Sequence, residues 1–443
     1  MDGITPPPME RRLQDRFVKL VKSHMRQALP TAAGLTAVWE PDAGSFATTQ
    51  AAWRFLNNDR VTLQALAQPL QEAGRAGLMR STAAVGLAIY DWSMLAFGEH
   101  TSKADRLQRS HAKDVGYDLT TALLVDAADG SPLAPMLMHL RSASQLYSTE
   151  PSPPPADTPH VDQVLPAMQA SDGWGLDKPL VHVIDREADS VGHMRQWDRA
   201  RRMFLTRADD RCVQWRGREQ MMGKVVAKLL KQGAFIKARE VEYQGKTAFQ
   251  HVAEAKVTLC RPAKRRVKKG RKTVQVTVPG EPLELRLVVS RVCDGKGKLL
   301  ATWLLLTNVE ASLADAATVA LWYYWRWRIE SFFKLLKGHG QQVEQWRQET
   351  GGAIVRRLLV ASMACVCVWR LQQREDKPAQ QMKQLLVRLS GRQTKRKRPH
   401  TAPALLAGLF VLLPMLALLE EYDGDLSDLQ DLAYKTLPLL NTG

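Results

Sequence analysis

The chain has 443 residues, of which 45% are hydrophobic and 24% charged, so it is neither disordered nor collagen-like and has room for roughly two to four domains. Lys and Arg total 62 against 45 Asp and Glu, which gives a formal net charge of +17. This charge favours a polyanionic partner, with nucleic acid ahead of a membrane surface. The segment Met1 to Arg12 has prolines and acidic residues but no apolar run, so we expect no secretory signal and a cytoplasmic protein.

The first 80 residues predict a small helical module. Apolar residues recur at helical spacing from Met9 to Leu29, with Arg and Lys between them, which is typical of an amphipathic basic helix. A loop over Pro30 to Ser45 leads to a second helix at Phe46 to Leu56, and a third covers Leu63 to Leu78 with an interruption at Pro69. The basic face indicates either DNA contact or an ordinary solvated helical surface.

The pattern then changes to short apolar runs of strand length. The predicted elements are a strand at Val85 to Tyr90, a β-hairpin of Leu119 to Val125 and Leu133 to Met138, a helix at Val161 to Ala170, and strands at Leu180 to Ile184 and Met203 to Thr206. Asp91 and Asp185 directly follow two of these strands. In open α/β sheets, ligands bind at the carboxyl ends of strands, so both acids are candidate site residues.

From Cys212 to Leu300 the alternating segments Thr273 to Val278 and Leu283 to Val292 favour a β-rich insertion. The run Arg261 to Lys272 within it has eight basic residues and no acid, which fits either nucleic-acid contact or a solvated loop. A buried strand at Trp303 to Thr307 follows. Long helices are then predicted at Ser312 to Lys337 and Ile354 to Gln372.

The remaining C-terminal region is predicted to be helical. Ala402 to Leu419 has no charge and is long enough for a membrane anchor, but Pro403, Gly408 and Pro414 favour a helix buried by packing or dimerisation. The basic run Arg388 to Arg398 either contacts DNA or forms a linker. Five cysteines are spread along the chain without zinc-ligand spacing, so we expect reduced thiols.

The helix Ser312 to Lys337 carries a polar stripe. At about 100° per residue, its members fall within an arc of roughly 80° on one side of the helix. They are Tyr323, Arg326, Glu330, Lys334 and Lys337. Large apolar side chains cover most of the rest of the helix, so the stripe should face a cleft, although ordinary surface ion pairs would give the same spacing.

A carboxylate on this helix, together with Asp91 and Asp185, makes three acids that can converge. Their mutual repulsion calls for divalent metal, and hard oxygen ligands suit Mg²⁺ or Mn²⁺. A pair of such ions supports displacement at phosphorus, so Asp91, Asp185 and Glu330 are the expected metal ligands and catalytic residues. Arg326, Lys334 and Lys337 would contact DNA phosphates, and Tyr323 would donate a hydrogen bond to one.

Two motifs in this order resemble the insertion-sequence-four family of DDE transposases. The first is D-R-E-A-D at Asp185 to Asp189, and the second is the spacing Y-x2-R-x3-E-x6-K at Tyr323 to Lys337, with W-R-I-E inside it. The similarity covers roughly residues 9 to 372. It implies an α/β protein with an RNase H-like catalytic core, a β-rich insertion, an N-terminal helical DNA-binding domain and a C-terminal helical dimerisation region.

Five segments are expected on this basis. They are 1–80 for the N-terminal DNA-binding domain, 81–211 for the first part of the catalytic core, 212–300 for the insertion, 301–372 for the second part of the core, and 373–443 for the dimerisation region. This sequence departs from the family after the first acid. The family usually has Thr there, whereas this chain has Trp92 and Ser93. Asp118, Asp126 and Asp129 are therefore alternatives to Asp91.

The resemblance also implies a function. Such enzymes nick one strand of double-stranded DNA, form a hairpin end, reopen it and join the element to target DNA, acting as a homodimer on paired ends with no membrane partner. Trp303 would stack on a flipped base, and Arg207 would contact DNA. A bacterial, nucleoid-associated location follows from the family. The alternatives are a non-catalytic end-binding regulator or domesticated DNA-binding protein, and a structure-directed nuclease on the same core.

Overall fold

A computed structural model describes residues 4–26, 45–109, 111–269, 272–338, 340–392, 400–421 and 427. The chain divides into two compact units that alternate along the sequence. One comprises Met1–Pro69, Leu95–Tyr117 and Phe333–Gly443, and the other comprises Leu70–Met94 and Asp118–Phe332. We refer to them as the terminal unit and the central unit. The division into five segments stays a prediction.

The described residues form eleven α-helices. They are α1 (Arg11–Arg26), α2 (Ser45–Leu56), α3 (Leu63–Arg80), α4 (His160–Ala170), α5 (Val191–Arg199), α6 (Met222–Lys231), α7 (Ala316–Tyr324), α8 (Trp327–Leu336), α9 (Gly351–Gln373), α10 (Lys377–Leu389) and α11 (Ala402–Glu421). The first helix of the chain is amphipathic, as predicted, with Phe17, Leu20 and Val21 buried. The third helix continues through Pro69, so the predicted interruption was wrong.

The terminal unit is built around α9, which is buried along most of its length. The first two helices and α11 contact it, and α10 contacts α11. The Arg356 side chain ties α9 to the end of α2, donating to the carbonyl oxygens of Val61 and Leu56 at 2.8 and 3.2 Å. Apolar burial around one central helix therefore organises this unit.

Two helices in the described part of the chain, Gly351–Gln373 and Ala402–Glu420, are long and apolar enough to cross a membrane, judged by length and composition alone. The most apolar window of the first is 89% buried inside the protein, and that of the second 39%. A buried core helix of a soluble protein can have the same length and apolar composition, so packing accounts for the composition of α9. The second half of α11 exposes Val411, Met415 and Leu416.

Fifteen strands are described. They are β1 (Gly86–Ala96), β2 (Leu107–Gln108), β3 (Val115–Asp126), β4 (Pro132–Arg141), β5 (Leu146–Ser148), β6 (Leu180–Ile184), β7 (Met203–Ala208), β8 (Cys212–Trp215), β9 (Arg218–Met221), β10 (Ile236–Tyr243), β11 (Lys246–Leu259), β12 (Ala263–Lys269), β13 (Lys272–Val278), β14 (Leu283–Cys293) and β15 (Leu299–Thr307). With the helices they make a mixed α/β protein, which confirms the predicted class.

Thirteen of these strands form one mixed sheet, in the order β5-β4-β3-β1-β6-β7-β15-β14-β11-β8-β9, with β10 paired to β11 and β2 to β3. The pairs β1–β6 and β6–β7 are parallel, whereas β3–β4 and β7–β15 are antiparallel. Residues 212–300 are rich in strands, and most of those strands extend this same sheet. The basic run Arg261 to Lys272 lies largely in the separate two-stranded ribbon β12–β13, with residues 270 and 271 outside the described part.

Three predicted elements differ from the structure in ways that affect the site. The first strand runs on to Ala96, so Asp91 lies within β1 and does not follow it. The strand β7 extends to Ala208 and therefore contains Arg207. The helix predicted at Ser312 to Lys337 is two helices, α7 and α8, separated at Trp325 and Arg326. The predicted loop over 30–44 and residues 393–398 of the Arg388 to Arg398 run lie outside the described residues.

Candidate active site

Two neighbouring parallel strands of the central unit place two aspartates side by side. Tyr90 of β1 pairs with Ile184 of β6, so Asp91 and Asp185 are the next residues on adjacent strands. Each aspartate accepts a hydrogen bond from the amide of the residue that follows it, Trp92 N–H at 2.9 Å and Arg186 N–H at 2.7 Å. The local backbone therefore orients both carboxylates.

Glu330 brings a third carboxylate to the same place from the first turn of α8. The Arg326 guanidinium joins all three. Its Nη1 lies 3.2 Å from Asp91 Oδ2, and its Nη2 lies 2.6 Å from Glu330 Oε1 and 3.7 Å from Asp185 Oδ2. The structure thus brings Asp91, Asp185 and Glu330 together, as expected, but around the side chain of Arg326.

The guanidinium is the most buried member of this cluster, with its side chain 7% exposed against 17% for Asp91, 31% for Asp185 and 28% for Glu330. Burial opposes its charge, but the carboxylates outweigh that effect and raise the pKa of Arg326 further. Sequence reasoning placed Arg326 on DNA phosphate. In the structure, its charge is already engaged by three acids.

The two aspartates are held in different electrostatic states. Burial raises the pKa of Asp91 to about 6, although Trp92 N–H and Arg326 act against it. At Asp185, burial also favours the neutral acid, but Arg326, Arg186 N–H and Tyr323 together outweigh it and lower the pKa. Asp91 therefore takes up a proton at a higher pH than Asp185 does.

Two of the predicted DNA-binding residues, Tyr323 and Arg207, interact with Asp185, and a third, Trp303, packs against Tyr323. The Tyr323 hydroxyl donates to Asp185 Oδ1 at 2.9 Å, and the positive charge of Arg207 helps to lower the pKa of Asp185. The Trp303 ring is tilted by 60° against the Tyr323 ring, with centroids 5.8 Å apart. Trp303 is only 7% exposed, so its present surroundings are those of a core residue.

Lys334 and Lys337 are in the part of α8 and the following turn that belongs to the terminal unit. Lys334 is exposed, and Lys337 Nζ forms an ion pair with Glu344 Oε1 at 3.4 Å. The prediction that Tyr323 to Lys337 form one stripe on a single continuous helix is wrong, because the helix is interrupted at Trp325 and Arg326. The roles of both lysines stay predictions.

The helix is interrupted where backbone hydrogen bonds join residues three positions apart instead of four. Arg326 N–H donates to Tyr323 O, and Arg328 N–H donates to Trp325 O, so the backbone tightens to three-residue spacing. The Trp325 ring lies on Gly130 in the β3–β4 turn, where a Cβ would be 2.4 Å from a ring carbon. The Trp322 indole N–H donates to Ala127 O in the same turn at 3.2 Å.

The alternative acids have other partners. Asp118 is buried and accepts a hydrogen bond from His160. Asp126 accepts from Ser81 Oγ and from Ala128 N–H, and Asp129 accepts from Ser131 N–H, which is typical of turn residues. These contacts favour Asp91 as the first carboxylate of the cluster.

Sequence reasoning missed one exposed aromatic residue at the site. Trp327 begins α8 and is 49% exposed, with Arg326 Cζ 5.2 Å from its ring centroid. The apolar spacing of the helix predicts the buried face well, but Trp327 falls outside that face. A large aromatic residue in a polar position was the available signal for a binding role.

Residues 152–367 match the family model described as "Transposase DDE domain", a segment that contains Asp185 and Glu330 but not Asp91. No curated protein matches the chain. Among solved structures, the cryo-EM structure of the piggyBac transposase synaptic complex with hairpin DNA is similar at 10% identity, over 90% of this chain and 70% of that chain. Its TM-score of 0.37 is too low to establish a shared fold. The domain match supports a DDE transposase family for this chain.

Proposed function

We propose that this protein is a cut-and-paste DNA transposase of the insertion-sequence-four type, which cleaves transposon ends, forms hairpin ends and transfers them to target DNA. The observation that carries the proposal is the convergence of Asp91, Asp185 and Glu330, from β1, the end of β6 and α8, on the guanidinium of Arg326. Two of these carboxylates lie in the segment that matches the transposase domain.

We further infer that the centre of the large sheet is an RNase H-like core. Its supporting feature is the strand order β4-β3-β1-β6-β7, in which β1, β6 and β7 are successive parallel neighbours and β3 and β4 form an antiparallel hairpin. The helices α4 and α5 lie in the connections that precede β6 and β7. The remaining strands extend the sheet beyond β7, as an insertion into such a core would.

The chemistry of the donors suits a hard divalent cation, because all three are carboxylates. In the described part of the chain, no group of three or more His, Cys, Asp or Glu side chains stands ready to hold a metal ion. Arg326 occupies the middle of the cluster instead. We propose that Asp91, Asp185 and Glu330 hold Mg²⁺ or Mn²⁺, which when bound would activate the attacking oxygen and stabilise the leaving one in phosphodiester cleavage.

The remaining predicted site residues have distinct proposed tasks. Tyr323 holds Asp185 through its hydroxyl and thereby fixes the direction of that carboxylate. Arg326 offsets part of the negative charge of the cluster, and it can donate to a DNA phosphate when its carboxylate contacts are released. Arg207, Lys334 and Lys337 add positive charge for the DNA backbone, and Trp303 or the exposed Trp327 supplies an aromatic face for an unpaired base.

The proposed partners are double-stranded transposon ends and target DNA. The basic first helix, with Arg12, Arg16 and Lys19 on its polar side, supports a DNA-contacting role for the N-terminal region. We propose a homodimer on paired ends, for which the exposed apolar residues of α11 offer surface, and a cytoplasmic, nucleoid-associated location.

The test is incubation of the purified protein with Mg²⁺ and a duplex carrying an end that flanks the element in its host genome. Hairpin ends on a denaturing gel are the expected product. Simple nicks without hairpins would instead indicate a structure-directed nuclease. Bound but uncut DNA in a mobility-shift assay would indicate a non-catalytic regulator and would contradict the proposal.

A further inference from the structure

A histidine outside the carboxylate cluster links the strands that carry its two aspartates. His160, the first residue of α4, contacts Asp118 Oδ2 through Nε2 at 2.5 Å and Glu187 Oε1 through Nδ1 at 2.8 Å. Its ring also stacks on Trp92, with centroids 5.0 Å apart and planes inclined by only 8°. These three partners come from β3, from the turn after β6 and from β1, which are neighbours in the sheet.

Both ring nitrogens of His160 donate in this arrangement, which requires the imidazolium form. Burial opposes the charge, but the hydrogen bonds to Asp118 and Glu187 outweigh it and raise the pKa of His160 to about 9. The side chain of Asp118 is 2% exposed, and Arg141 is its second cationic neighbour at 3.9 Å. His160 is therefore anchored on a buried acid and reaches outward to the two site strands.

Each of its outer contacts leads to one aspartate. Trp92, on which the ring stacks, donates its amide N–H to Asp91 Oδ1. Glu187 lies in the short 3₁₀ turn Arg186–Ala188, whose first amide donates to Asp185 Oδ1. A shift of either contact residue would move the amide that orients the neighbouring carboxylate, so one imidazolium constrains both aspartates together.

We propose that His160 is a positioning residue that fixes the separation and direction of Asp91 and Asp185. It does not touch the reacting atoms, and its effect passes through Trp92 on one side and Glu187 on the other. The part of this inference that concerns metal binding rests on the proposed function of the cluster. The part that concerns backbone order does not.

The chain contains a matched control. His193 on α5 contacts Asp162 Oδ1 through Nε2 at 2.6 Å and Ser190 Oγ through Nδ1 at 2.7 Å. Its side chain is 15% exposed against 11% for His160, and its ring tilts against Trp197. The two histidines have similar burial and bonding, but the hydrogen-bond partners of His193, Asp162 and Ser190, are not adjacent to Asp91 or Asp185.

The experiment compares the wild-type protein with His160→Gln and His193→Gln. Hydrogen–deuterium exchange of the metal-free proteins follows peptides that contain the Trp92 and Arg186 amides. We expect His160→Gln to accelerate exchange in both peptides by about tenfold and His193→Gln to leave both unchanged. Unfolding temperatures, measured in parallel, show whether the two variants lose comparable global stability.

The second measurement is Mn²⁺ binding, followed by electron paramagnetic resonance without DNA. We expect His160→Gln to weaken Mn²⁺ binding by about tenfold or more, as loss of a supporting residue does at metal sites, and His193→Gln to bind like the wild type. Unchanged exchange in His160→Gln, or an equal loss of Mn²⁺ affinity in His193→Gln, overturns the proposal. If the wild type binds no Mn²⁺, the proposed function fails, and the exchange data still decide the positioning role.

A further variant protects the test if His160→Gln does not fold. Glu187 has an exposed side chain, 57% accessible, so Glu187→Ala removes only the outer contact. It should accelerate exchange at Arg186 and leave Trp92 unchanged. Equal exchange at both amides in Glu187→Ala and wild type would contradict the proposed path from His160 to Asp185.

Discussion

Replacing Arg326 with Ala is the most direct test of how the carboxylate cluster is held together. The side chain is 7% exposed and makes charged hydrogen bonds of 2.6 Å to Glu330 and 3.2 Å to Asp91. It also lies 3.7 Å from Asp185. Removing it leaves three carboxylates with no central cation, and their mutual repulsion then opposes folding.

The size of the effect follows from the burial of the partners. Removing one member of a buried ion pair costs about 3–5 kcal/mol in the free energy of unfolding. The three acids keep partial access to water, which reduces the penalty, so we expect about 3 kcal/mol for Arg326→Ala at pH 7.5. For a unit of this size, that loss lowers the melting temperature by about 6–12 °C.

The pH dependence has a definite sign. The lowered pKa of Asp185 stabilises the folded state above the unfolded pKa, and this contribution disappears as the pH falls through the folded value. Asp91, with a pKa of about 6, takes up a proton earlier. The difference between wild type and Arg326→Ala should therefore be full at pH 7.5, begin to shrink near pH 6 and vanish only below about pH 4, as the pH falls through the lowered pKa of Asp185.

Differential scanning calorimetry across this pH range measures the prediction. Arg202→Ala is the control, because Arg202 binds Asp172 through two contacts of 2.5 Å while the Asp172 side chain is 63% exposed. That surface pair should contribute about 1 kcal/mol or less. Equal melting temperatures for Arg326→Ala and wild type at pH 7.5, or a penalty that grows on acidification, would refute the electrostatic reasoning.

Three further variants test the proposed site. Glu330→Gln should abolish cleavage of an end-bearing duplex while the mobility shift of the same duplex is unchanged; residual cleavage would remove Glu330 from the metal ligands. Tyr323→Phe should slow cleavage by about tenfold, since it removes one hydrogen bond to the Asp185 carboxylate, and an unchanged single-turnover rate would contradict that role. Trp327→Ala should leave the melting temperature unchanged but weaken binding of single-stranded DNA by about tenfold in fluorescence anisotropy, because the ring is exposed for stacking; unchanged affinity would exclude stacking there.

The parts of the site that depend on local sequence patterns were predictable. The apolar run Leu180 to Ile184 is a strand with the predicted bounds, and Asp185 follows it directly. The spacing from Arg326 to Glu330 correctly indicated that the two side chains are neighbours. In both cases, residues close in sequence determine the geometry, through strand burial or one helical turn.

The parts that depend on distant residues were not predictable. No Gly or Pro marks the interruption between α7 and α8, which accompanies packing of Trp325 on the β3–β4 turn and the contacts of Arg326 with Asp91 and Asp185. Likewise, β1 continues through Asp91 to Ala96, although its pairing with β6 ends at Tyr90 and Ile184. No sequence pattern indicated a role for His160, because its partners Asp118, Glu187 and Trp92 are each distant in the sequence.

The contact between Gly130 and Trp325 extends the candidate site to a residue that has no side chain. Gly130 adopts φ +73°, which favours glycine, and any larger residue would also displace the indole that lies on it. Such a displacement would move the helix junction and carry the charge of Arg326 away from the acids. A mutational survey confined to polar residues would overlook position 130, although its tolerance for substitution should be as low as that of the carboxylates themselves.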